Sequence, residues 1–347
     1  MPKNSEVKKL IKFTIVRGIP GLNTRKALGL ALLMLSLCLP GGIIHATKDY
    51  PNKPIMMIVP WGGGGGTDKI ARLLAPYLEK ELGQSVLVAN KPGGSSLIGH
   101  MLGANAEPDG YTITMCTTEI ALMHWMGLTE LSYKNFRPVA MVNADPAGVI
   151  VRADAPWRTL EELQNEIRNK PGKLRASGTS RGGIWDICRA GWLQAVGIRE
   201  SALPWIPSSG AAEGLQNLLA GSVDVVTCSL PEANTLIAQH KVRPLATMGE
   251  LRETGFPTIP TLKEKNIPFS NGAFRGLFVP LQTPEPIVTK LENALERVVT
   301  SEKYHKLMNA QEFGVRYRGS KYFRTFLEEK DQNFGELLRK LGMIQNK

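Results

Sequence analysis

A short apolar segment, Ile55–Val59, is followed by a proline, a tryptophan and then five consecutive glycines at positions 62–66. A run this short and continuously apolar is typical of a strand buried on both faces. In residues 67–82 apolar side chains recur every three or four positions, which predicts an amphipathic helix. A buried strand, a glycine loop and a helix in this order indicate an α/β fold.

The same alternation continues along the chain and predicts mainly parallel sheets with helices on both faces. Further strands are predicted at residues 86–89, 111–116, 137–142, 148–151, 174–176, 203–206, 223–227, 243–247 and 277–279. The segments between them carry helical periodicity, and the last three helices are predicted at 286–299, 303–311 and 321–341. A length of 347 residues suits one large domain or two medium ones.

The net charge of +11 is concentrated at the N-terminus. Residues 1–46 hold seven basic residues and one acid, which leaves +5 for the rest of the chain. This mild excess gives no support for nucleic-acid binding, so we expect no nucleic-acid partner. With 43% hydrophobic and 21% charged residues, the composition also excludes intrinsic disorder.

Residues 1–46 are predicted to be a secretory signal peptide that is cleaved after Ala46. A basic region precedes a thirteen-residue apolar run at 27–39, which is too short for a membrane span of about 20 residues. An uncleaved anchor and a lipoprotein attached through Cys38 stay open as alternatives. Export leaves three cysteines, Cys116, Cys188 and Cys228, which allow at most one disulfide and leave one thiol free.

Three loops lead from a predicted strand into a predicted helix, at residues 60–67, 177–183 and 207–210. In open α/β sheets such loops lie at the carboxyl ends of the strands, where ligands bind. Helix N-termini and serine or threonine hydroxyls there suit a small anion. Because Arg181 is the only basic residue in these loops, we expect neutral hydrogen-bond donors to bind the anion. The spacing of cysteine and histidine suggests no metal site, and no cofactor motif is present, because the glycine run does not match nucleotide-binding loops.

One segment supports an enzymatic alternative. Residues 178–182 match G-x-S-x-G, the nucleophile elbow of α/β hydrolases, with Ser180 as the nucleophile. The required later partners are poorly placed, since the only histidines beyond it are His240 and His305 and Asp331 follows both. A secreted serine hydrolase therefore stays the alternative to a binding protein.

Several motifs resemble those of Bug-type proteins, the substrate-binding components of tripartite tricarboxylate transporters. The matching segments occur in the family's order, as Tyr50-Pro-Asn-Lys-Pro-Ile55, Gly65-Gly-Thr-Asp68, Val88-Ala-Asn-Lys-Pro-Gly-Gly94, Pro108-Asp-Gly-Tyr-Thr112, Ala176-Ser-Gly-Thr179, Ala220-Gly-Ser-Val-Asp224 and Gly276-Leu-Phe-Val-Pro280. The chain departs from many members at residues 207–210, where Pro-Ser-Ser-Gly replaces Pro-Tyr-Lys-Gly. Ligand identity therefore does not transfer.

The resemblance implies a two-lobed type II periplasmic-binding-protein fold, each lobe a mixed, mainly parallel sheet flanked by helices. Lobe 1 would comprise residues 48–150 and 270–347, and lobe 2 residues 151–269. The implied function is a periplasmic receptor, not an enzyme, which captures a small carboxylate and delivers it to membrane permease subunits. A receptor that signals to a sensor kinase stays possible, and we expect a monomer.

The ligand-binding residues expected from the loops and from the resemblance are mainly glycines and hydroxyl residues. They are Trp61, Gly64, Gly65, Gly66, Thr67, Thr117, Thr118, Ser177, Gly178, Thr179, Ser180, Ser208 and Ser209.

Overall fold

The computed structural model describes residues 50–344, so the predicted signal peptide lies outside the described residues. The ten strands of this part of the chain are β1 (Ile55–Val59), β2 (Val86–Asn90), β3 (Thr112–Thr117), β4 (Phe136–Pro146), β5 (Gly148–Arg152), β6 (Ala176–Ser177), β7 (Val225–Cys228), β8 (Val242–Thr247), β9 (Gly272–Pro280) and β10 (Arg318–Gly319). The nine α-helices are α1 (Gly66–Leu82), α2 (Leu97–Ala104), α3 (Leu160–Asn169), α4 (Ile184–Ala195), α5 (Ala211–Leu219), α6 (Leu230–Ala238), α7 (Glu285–Val299), α8 (Glu302–Ala310) and α9 (Ser320–Lys340).

The strands form two separate sheets. The six-stranded sheet has the order β10-β4-β9-β3-β1-β2, and the four-stranded sheet has the order β6-β7-β5-β8. Helices α1, α2, α7 and α9 pack on the first sheet, and α5 and α6 pack on the second. The prediction of an α/β fold with two mixed sheets flanked by helices is therefore confirmed.

The sheets are less parallel than the sequence pattern suggests. Parallel pairing joins β1 to β2, β1 to β3 and β6 to β7. The other five pairs are antiparallel. In the first sheet the antiparallel pairs all involve the long strands β4 and β9, and in the second sheet they involve β5. The expectation of mainly parallel sheets is thus wrong.

The strand predicted at residues 203–206 is also absent from the described sheets. This segment makes only an isolated parallel bridge between Trp205 and Ala176. Pro204 and Pro207 flank the short apolar stretch, and a proline cannot donate to a ladder, so the pairing stops after one bridge.

Strands β4 and β5 connect the two sheets almost without interruption, because only Ala147 separates them. The chain returns to the first sheet through β9, after residues 248–271, which form no strand. Two such connections are compatible with the predicted lobes, whose boundaries at residues 150 and 270 stay a prediction. No helix in the described part of the chain is long and apolar enough to cross a membrane.

Candidate functional site

A cavity of about 360 Å³, counting its open mouth, lies between loops of the two sheets. The six-stranded side contributes the glycine loop, the end of β3 and the first half of β9. The four-stranded side contributes the loop after β6 and the starts of α4, α5 and α6. The lining residues are Trp61, Gly65, Gly66, Thr67, Thr117, Glu119, Thr179, Ile184, Trp185, Gly210, Ala211, Glu232, Ala273 and Arg275.

The glycine loop is fixed by Asp68 in the first turn of α1. Its carboxylate accepts hydrogen bonds from Gly64 N–H at 2.9 Å, from Arg72 Nε at 2.9 Å and from Asn90 Nδ2 at 2.9 Å. Burial opposes ionisation, but these hydrogen bonds and the Arg72 charge hold the pKa of Asp68 below its ordinary value. Asp68 therefore positions the loop and leaves Gly65 and Gly66 to line the cavity.

Beyond the end of β3, a buried chain of hydrogen bonds leads from Trp61 to Glu119. Trp61 Nε1 donates to Thr117 Oγ1 at 3.1 Å, and the Thr117 hydroxyl donates to Glu119 Oε2. The Thr117 N–H donates to His100 Nε2 at 3.3 Å, while Nδ1 of the same ring faces the Ser96 carbonyl at 2.9 Å. This arrangement assigns the proton to Nδ1, and burial lowers the pKa of His100 to about 4. A neutral imidazole thus supports Thr117.

Glu119 reaches from the six-stranded side to the helix that begins on the other side of the cavity. Its Oε1 accepts a hydrogen bond of 2.9 Å from Ile184 N–H, at the N-terminus of α4. Glu119 is only 1% exposed, and this burial raises the pKa of its carboxyl group, although Thr117, Ile184 and Arg275 favour the ionised form.

Glu232 makes the reciprocal contact from the four-stranded side. Its Oε1 accepts a hydrogen bond of 2.9 Å from Gly66 N–H, at the N-terminus of α1. Its Oε2 accepts from the N–H and the hydroxyl of Ser229, and so completes a capping box at the start of α6. Each side of the cavity therefore places a carboxylate on a helix N-terminus of the other side.

Arg275, at the centre of β9, is the one cation among the residues that line this cavity. Its Nε donates to Thr67 Oγ1 at 3.1 Å, and its Nη1 donates to Asn143 Oδ1 at 2.6 Å and to Asp145 Oδ2 at 3.0 Å. Its Nη2 lies 3.6 Å from Glu232 Oε1. Two neutral polar side chains and two carboxylates thus surround the guanidinium group.

The loop after β6 is packed tightly against the rest of its sheet. A Cβ atom on Gly178 would lie 2.1 Å from the Thr227 carbonyl oxygen, so only glycine fits there. Trp205 Nε1 donates to the Thr179 carbonyl at 3.1 Å, and Ser208 N–H donates to the same oxygen at 2.9 Å. These bonds direct Thr179 towards the cavity, which it lines.

The structure divides the thirteen predicted ligand residues into two groups. Those that line the cavity are Trp61, Gly65, Gly66, Thr67, Thr117 and Thr179. Those that do not line it are Gly64, Thr118, Ser177, Gly178, Ser180, Ser208 and Ser209.

Hydrogen bonds within the protein explain most of the second group. Ser177 Oγ donates to the Ile206 carbonyl at 2.7 Å, and Thr118 Oγ1 accepts from Phe274 N–H at 2.9 Å. The Ser208 hydroxyl donates to the Gly210 carbonyl, and the Ser209 hydroxyl donates to Glu213. These hydroxyl groups stabilise the loops around the cavity.

Sequence reasoning missed the three charged residues of the cavity. Glu232 carries a signal, since Ser229 and Glu232 have the serine-x-x-glutamate spacing of a capping box. Arg275 carries another, since a lone arginine directly before an apolar strand segment needs buried partners. Glu119 has no such signal, because its partner Ile184 is 65 residues away. In the described residues no group of three or more histidine, cysteine or acidic side chains could hold a metal ion.

Two α/β sides that enclose a cavity rimmed by helix N-termini define a solute-binding protein of the periplasmic type. Residues 70–343 match the sequence model of the tripartite tricarboxylate transporter family receptor. The chain belongs to this family, and the predicted resemblance to Bug-type proteins is confirmed.

Individual relatives agree with this assignment. A protein encoded in the gbd 5′ region of Cupriavidus necator is 28% identical over 324 residues, which cover 91% of this chain and 96% of the relative. The structure of the periplasmic binding protein BugD is 27% identical, with a TM-score of 0.80 over 86% of this chain and 100% of BugD. MatC from Rhodopseudomonas palustris, solved with bound malate, is 25% identical, with a TM-score of 0.78 over 83% of this chain and 100% of MatC.

Proposed function

We propose that this protein captures a small organic acid in the periplasm and delivers it to the membrane permease subunits of a tripartite tricarboxylate transporter. The observation that carries the proposal is the cavity itself, which is lined by the N-termini of α1, α4 and α5. First-turn N–H groups of a helix have no intrahelical partner and carry a partial positive charge, which favours a carboxylate. Malate bound to MatC, which shares this fold, supports a carboxylate as the ligand.

Within this cavity we assign the ligand contacts to Thr67, Thr117, Thr179 and the amides of Gly65 and Ala211. The start of α5 is the best candidate for the ligand's carboxylate, because Glu232 and Glu119 already occupy the starts of α1 and α4. The nearby Glu213 carboxylate bonds to Ser209, which precedes the helix, so it does not block this N-terminus.

A thermal-shift screen of organic acids tests this function. A ligand present at 100 times its Kd adds about 2.7 kcal/mol to the free energy of unfolding, which is easily detected. The uncharged diamide of each acid serves as the matched control. Stabilisation by an acid but not by its diamide supports the proposal, whereas no stabilisation by any acid at millimolar concentration contradicts it.

The fold and family are those of solute-binding proteins, and we propose that the chain is not an enzyme. Ser180 Oγ, the nucleophile of the hydrolase alternative, is buried and has no hydrogen-bond partner among the described residues. A serine nucleophile needs a hydrogen-bonded base. A fluorophosphonate probe should therefore leave the protein unlabelled, and labelling that disappears in Ser180→Ala would support the hydrolase instead.

Delivery to a permease, export and oligomeric state are parts of the same proposal. Neighbouring genes for membrane subunits would favour a permease over a sensor kinase. Mass spectrometry of periplasmic extract should find a mature chain that begins after Ala46, and light scattering should give the mass of a monomer. Limited proteolysis that cuts near residues 150 and 270 would support the predicted lobes.

A further inference from the structure

A second and larger cavity, of about 1220 Å³ counting its open mouth, lies beside the long strands β4 and β9. Its walls come from the second half of β4, the start of β9, residues 248–253 after β8 and the segment 316–330, which contains β10 and the first half of α9. Of the described residues that line the two cavities, only Ala273 is common to both. The second cavity is therefore a site apart from the one assigned to the organic acid.

Three basic residues, Arg316, Arg318 and Lys330, line the second cavity. Within the part of the chain that the structure describes, their side chains form no ion pair and no hydrogen bond. Lys330 is also half-buried, and this burial lowers the pKa of its ammonium group, although the charges of Glu329 and Glu250 oppose the change. A partly buried ammonium group without an ion-pair partner is unfavourable, and an anion in the cavity would compensate it.

The acids of the second cavity do not balance these bases. Asp145 already pairs with Arg275, 3.0 Å from its Nη1, and Glu250 forms an ion pair with Lys263. Glu253 is mostly protonated at neutral pH, because burial and the charge of Asp145 raise its pKa to about 8. The cavity therefore carries an excess of positive charge that the described acids lining it do not neutralise.

Aromatic and apolar side chains lie next to these cations. The centroid of the Phe326 ring is 5.7 Å from Arg318 Cζ and 5.6 Å from Lys330 Nζ, distances at which a cation interacts with an aromatic ring. The Phe274 ring meets Phe326 edge to face, with 5.1 Å between the two centroids. Leu251 also lines the cavity and is 82% exposed, so its side chain is accessible to a ligand. A ring can thus pack on apolar surface while its acid groups reach the bases.

We propose that the second cavity binds a small aromatic anion with two or more acid groups. The acid groups pair with Arg316, Arg318 and Lys330, and the ring packs against Phe326. Arginine and lysine donate hydrogen bonds to the oxygens of any such acid group, so the proposal specifies the charge and the ring. Pockets for small ligands typically have volumes of about 300–1,000 Å³, and the second cavity is large enough for such a molecule. This inference goes beyond the proposed function, because it concerns a different site.

Calorimetry with naphthalene trisulfonate, a ring that carries three acid groups, tests the proposal on the mature protein. Naphthalene monosulfonate keeps the ring and removes two of the charges, whereas inorganic pyrophosphate keeps a high charge and removes the ring. We expect the trisulfonate to bind about 10-fold or more tightly than either control, since it alone satisfies both the bases and the apolar wall.

Variants of the bases assign the binding to the second cavity. Lys330→Gln and Arg316→Gln should each weaken binding of the trisulfonate by about fivefold or more, because each removes one cation that faces an acid group. Lys321→Gln is the matched control, since Lys321 is an exposed lysine on the same helix that does not line the cavity. Its affinity should stay within about twofold of the wild type. Circular dichroism checks the fold of each variant, and the wild-type comparison remains decisive if one does not fold.

The proposal fails on any of three results. The first is equal binding of the trisulfonate and either control, which would remove the need for a charged ring. The second is an affinity for the trisulfonate that survives both substitutions of lining bases, or that falls equally in Lys321→Gln. The third is no binding of the trisulfonate at millimolar concentration. None of these results bears on the carboxylate receptor, because its assigned contacts lie in the other cavity.

Discussion

The Gly66 N–H donates a hydrogen bond of 2.9 Å to Glu232, a residue 166 positions away that belongs to the opposite side of the cavity. In the opposite direction, the Ile184 N–H of the four-stranded side donates a hydrogen bond of the same length to Glu119 of the six-stranded side. In both cases a carboxylate of one side satisfies an unpaired first-turn amide of the other, a contact that helix N-termini favour. These two hydrogen bonds join the two sides of the cavity.

Alanine at position 66 should disrupt this contact. Its Cβ atom would lie 2.6 Å from both Arg275 Nη2 and Glu232 Oε1, and both side chains are held by other hydrogen bonds. We expect Gly66→Ala to weaken binding of the acid found in the screen by 10-fold or more, because the contact that joins the two sides of the cavity is broken. Calorimetry measures the change.

Gly65→Ala is the matched control for this prediction. The Cβ atom at position 65 would be 3.6 Å from the Gly62 carbonyl oxygen, an ordinary contact, and the residue also lines the cavity. Affinity should stay within about threefold of the wild type, since no hydrogen bond is lost. Equal losses in the two variants would show that the loop tolerates no side chain, and the specific role of the Gly66 contact would be refuted.

Local patterns predicted most elements of this fold. The first strand, the glycine loop and α1 follow from apolar periodicity, and the structure places α1 at Gly66–Leu82, within one residue of the prediction. Strand β10 was not predicted, because Arg318 and Gly319 form a two-residue strand whose ladder depends on β4, about 180 residues earlier. Pairing over such a separation has no local signal.

The residues that line the cavity were predicted less completely than the fold. The glycines and hydroxyl groups follow from their position after strands, and six of the thirteen expected residues line the cavity. The charged residues were not predicted, because the partners of Glu119 and Arg275 come from distant segments. Ser177 shows the converse, since its hydroxyl group has a backbone partner, Ile206, that no sequence pattern indicates.

The ion pair between Arg275 on β9 and Asp145 on β4 should contribute strongly to the stability of the six-stranded sheet. Both side chains are almost fully buried, and burial raises the pKa of Asp145 while the Arg275 charge opposes this change. Arg275→Met leaves Asp145 without its cation and should lower the free energy of unfolding by roughly 3–5 kcal/mol. Urea unfolding followed by tryptophan fluorescence measures the loss.

A double substitution separates the buried charge from lost packing. In Arg275→Met with Asp145→Asn, the acid that lacked a partner is neutral, so the double variant should be more stable than Arg275→Met alone by about 1–3 kcal/mol. The asparagine oxygen can still accept from Gly314 N–H, which now bonds to Asp145 Oδ1 at 2.8 Å. If the double variant loses as much free energy of unfolding as the two single variants lose in sum, the interaction between the two charges contributes nothing.

Glu253 should make the protein less stable at alkaline pH. Burial, together with the charges of Asp145 and Glu312, raises the pKa of Glu253 to about 8 in the folded state. The folded protein thus binds a proton that the unfolded chain releases near pH 4.5, so this stabilisation is complete below pH 4.5 and is lost as the pH rises through 8.

Glu253→Gln, which remains neutral, reveals this contribution. At pH 9 the variant should exceed the wild type in free energy of unfolding by roughly 1–3 kcal/mol, a value reduced for the partial exposure of the site. At pH 4.5 the two proteins should be equal. Glu336→Gln controls for the loss of an exposed negative charge. A constant difference at all pH values would exclude titration of Glu253 as the cause.

The three cysteines of the described chain should be inert in the native protein. Cys116, Cys188 and Cys228 are free and buried, and burial raises the pKa of each thiol. The reactive form is the thiolate, so Ellman's reagent should detect no thiol before unfolding and three per mature chain in guanidinium chloride. A count of one after unfolding would instead show that two of them had formed a disulfide.

Thr179 and Arg181 distinguish a pocket of neutral donors from one that uses a direct ion pair. Thr179 is buried and lines the cavity, whereas Arg181 is exposed two residues later and does not line it. Thr179 Oγ1 has only a long contact of 3.4 Å with the Ser180 carbonyl, so its hydroxyl group can turn to a ligand.

Loss of a hydrogen bond to a charged group costs about 1.5–3 kcal/mol, so Thr179→Ala should weaken binding roughly 10- to 100-fold. Arg181→Ala should change the affinity less than about threefold, because an exposed charge is screened. Calorimetry with the same acid on both variants measures the two effects. A harmless Thr179→Ala together with an Arg181→Ala that abolishes binding would replace the neutral-donor pocket with a salt bridge to Arg181.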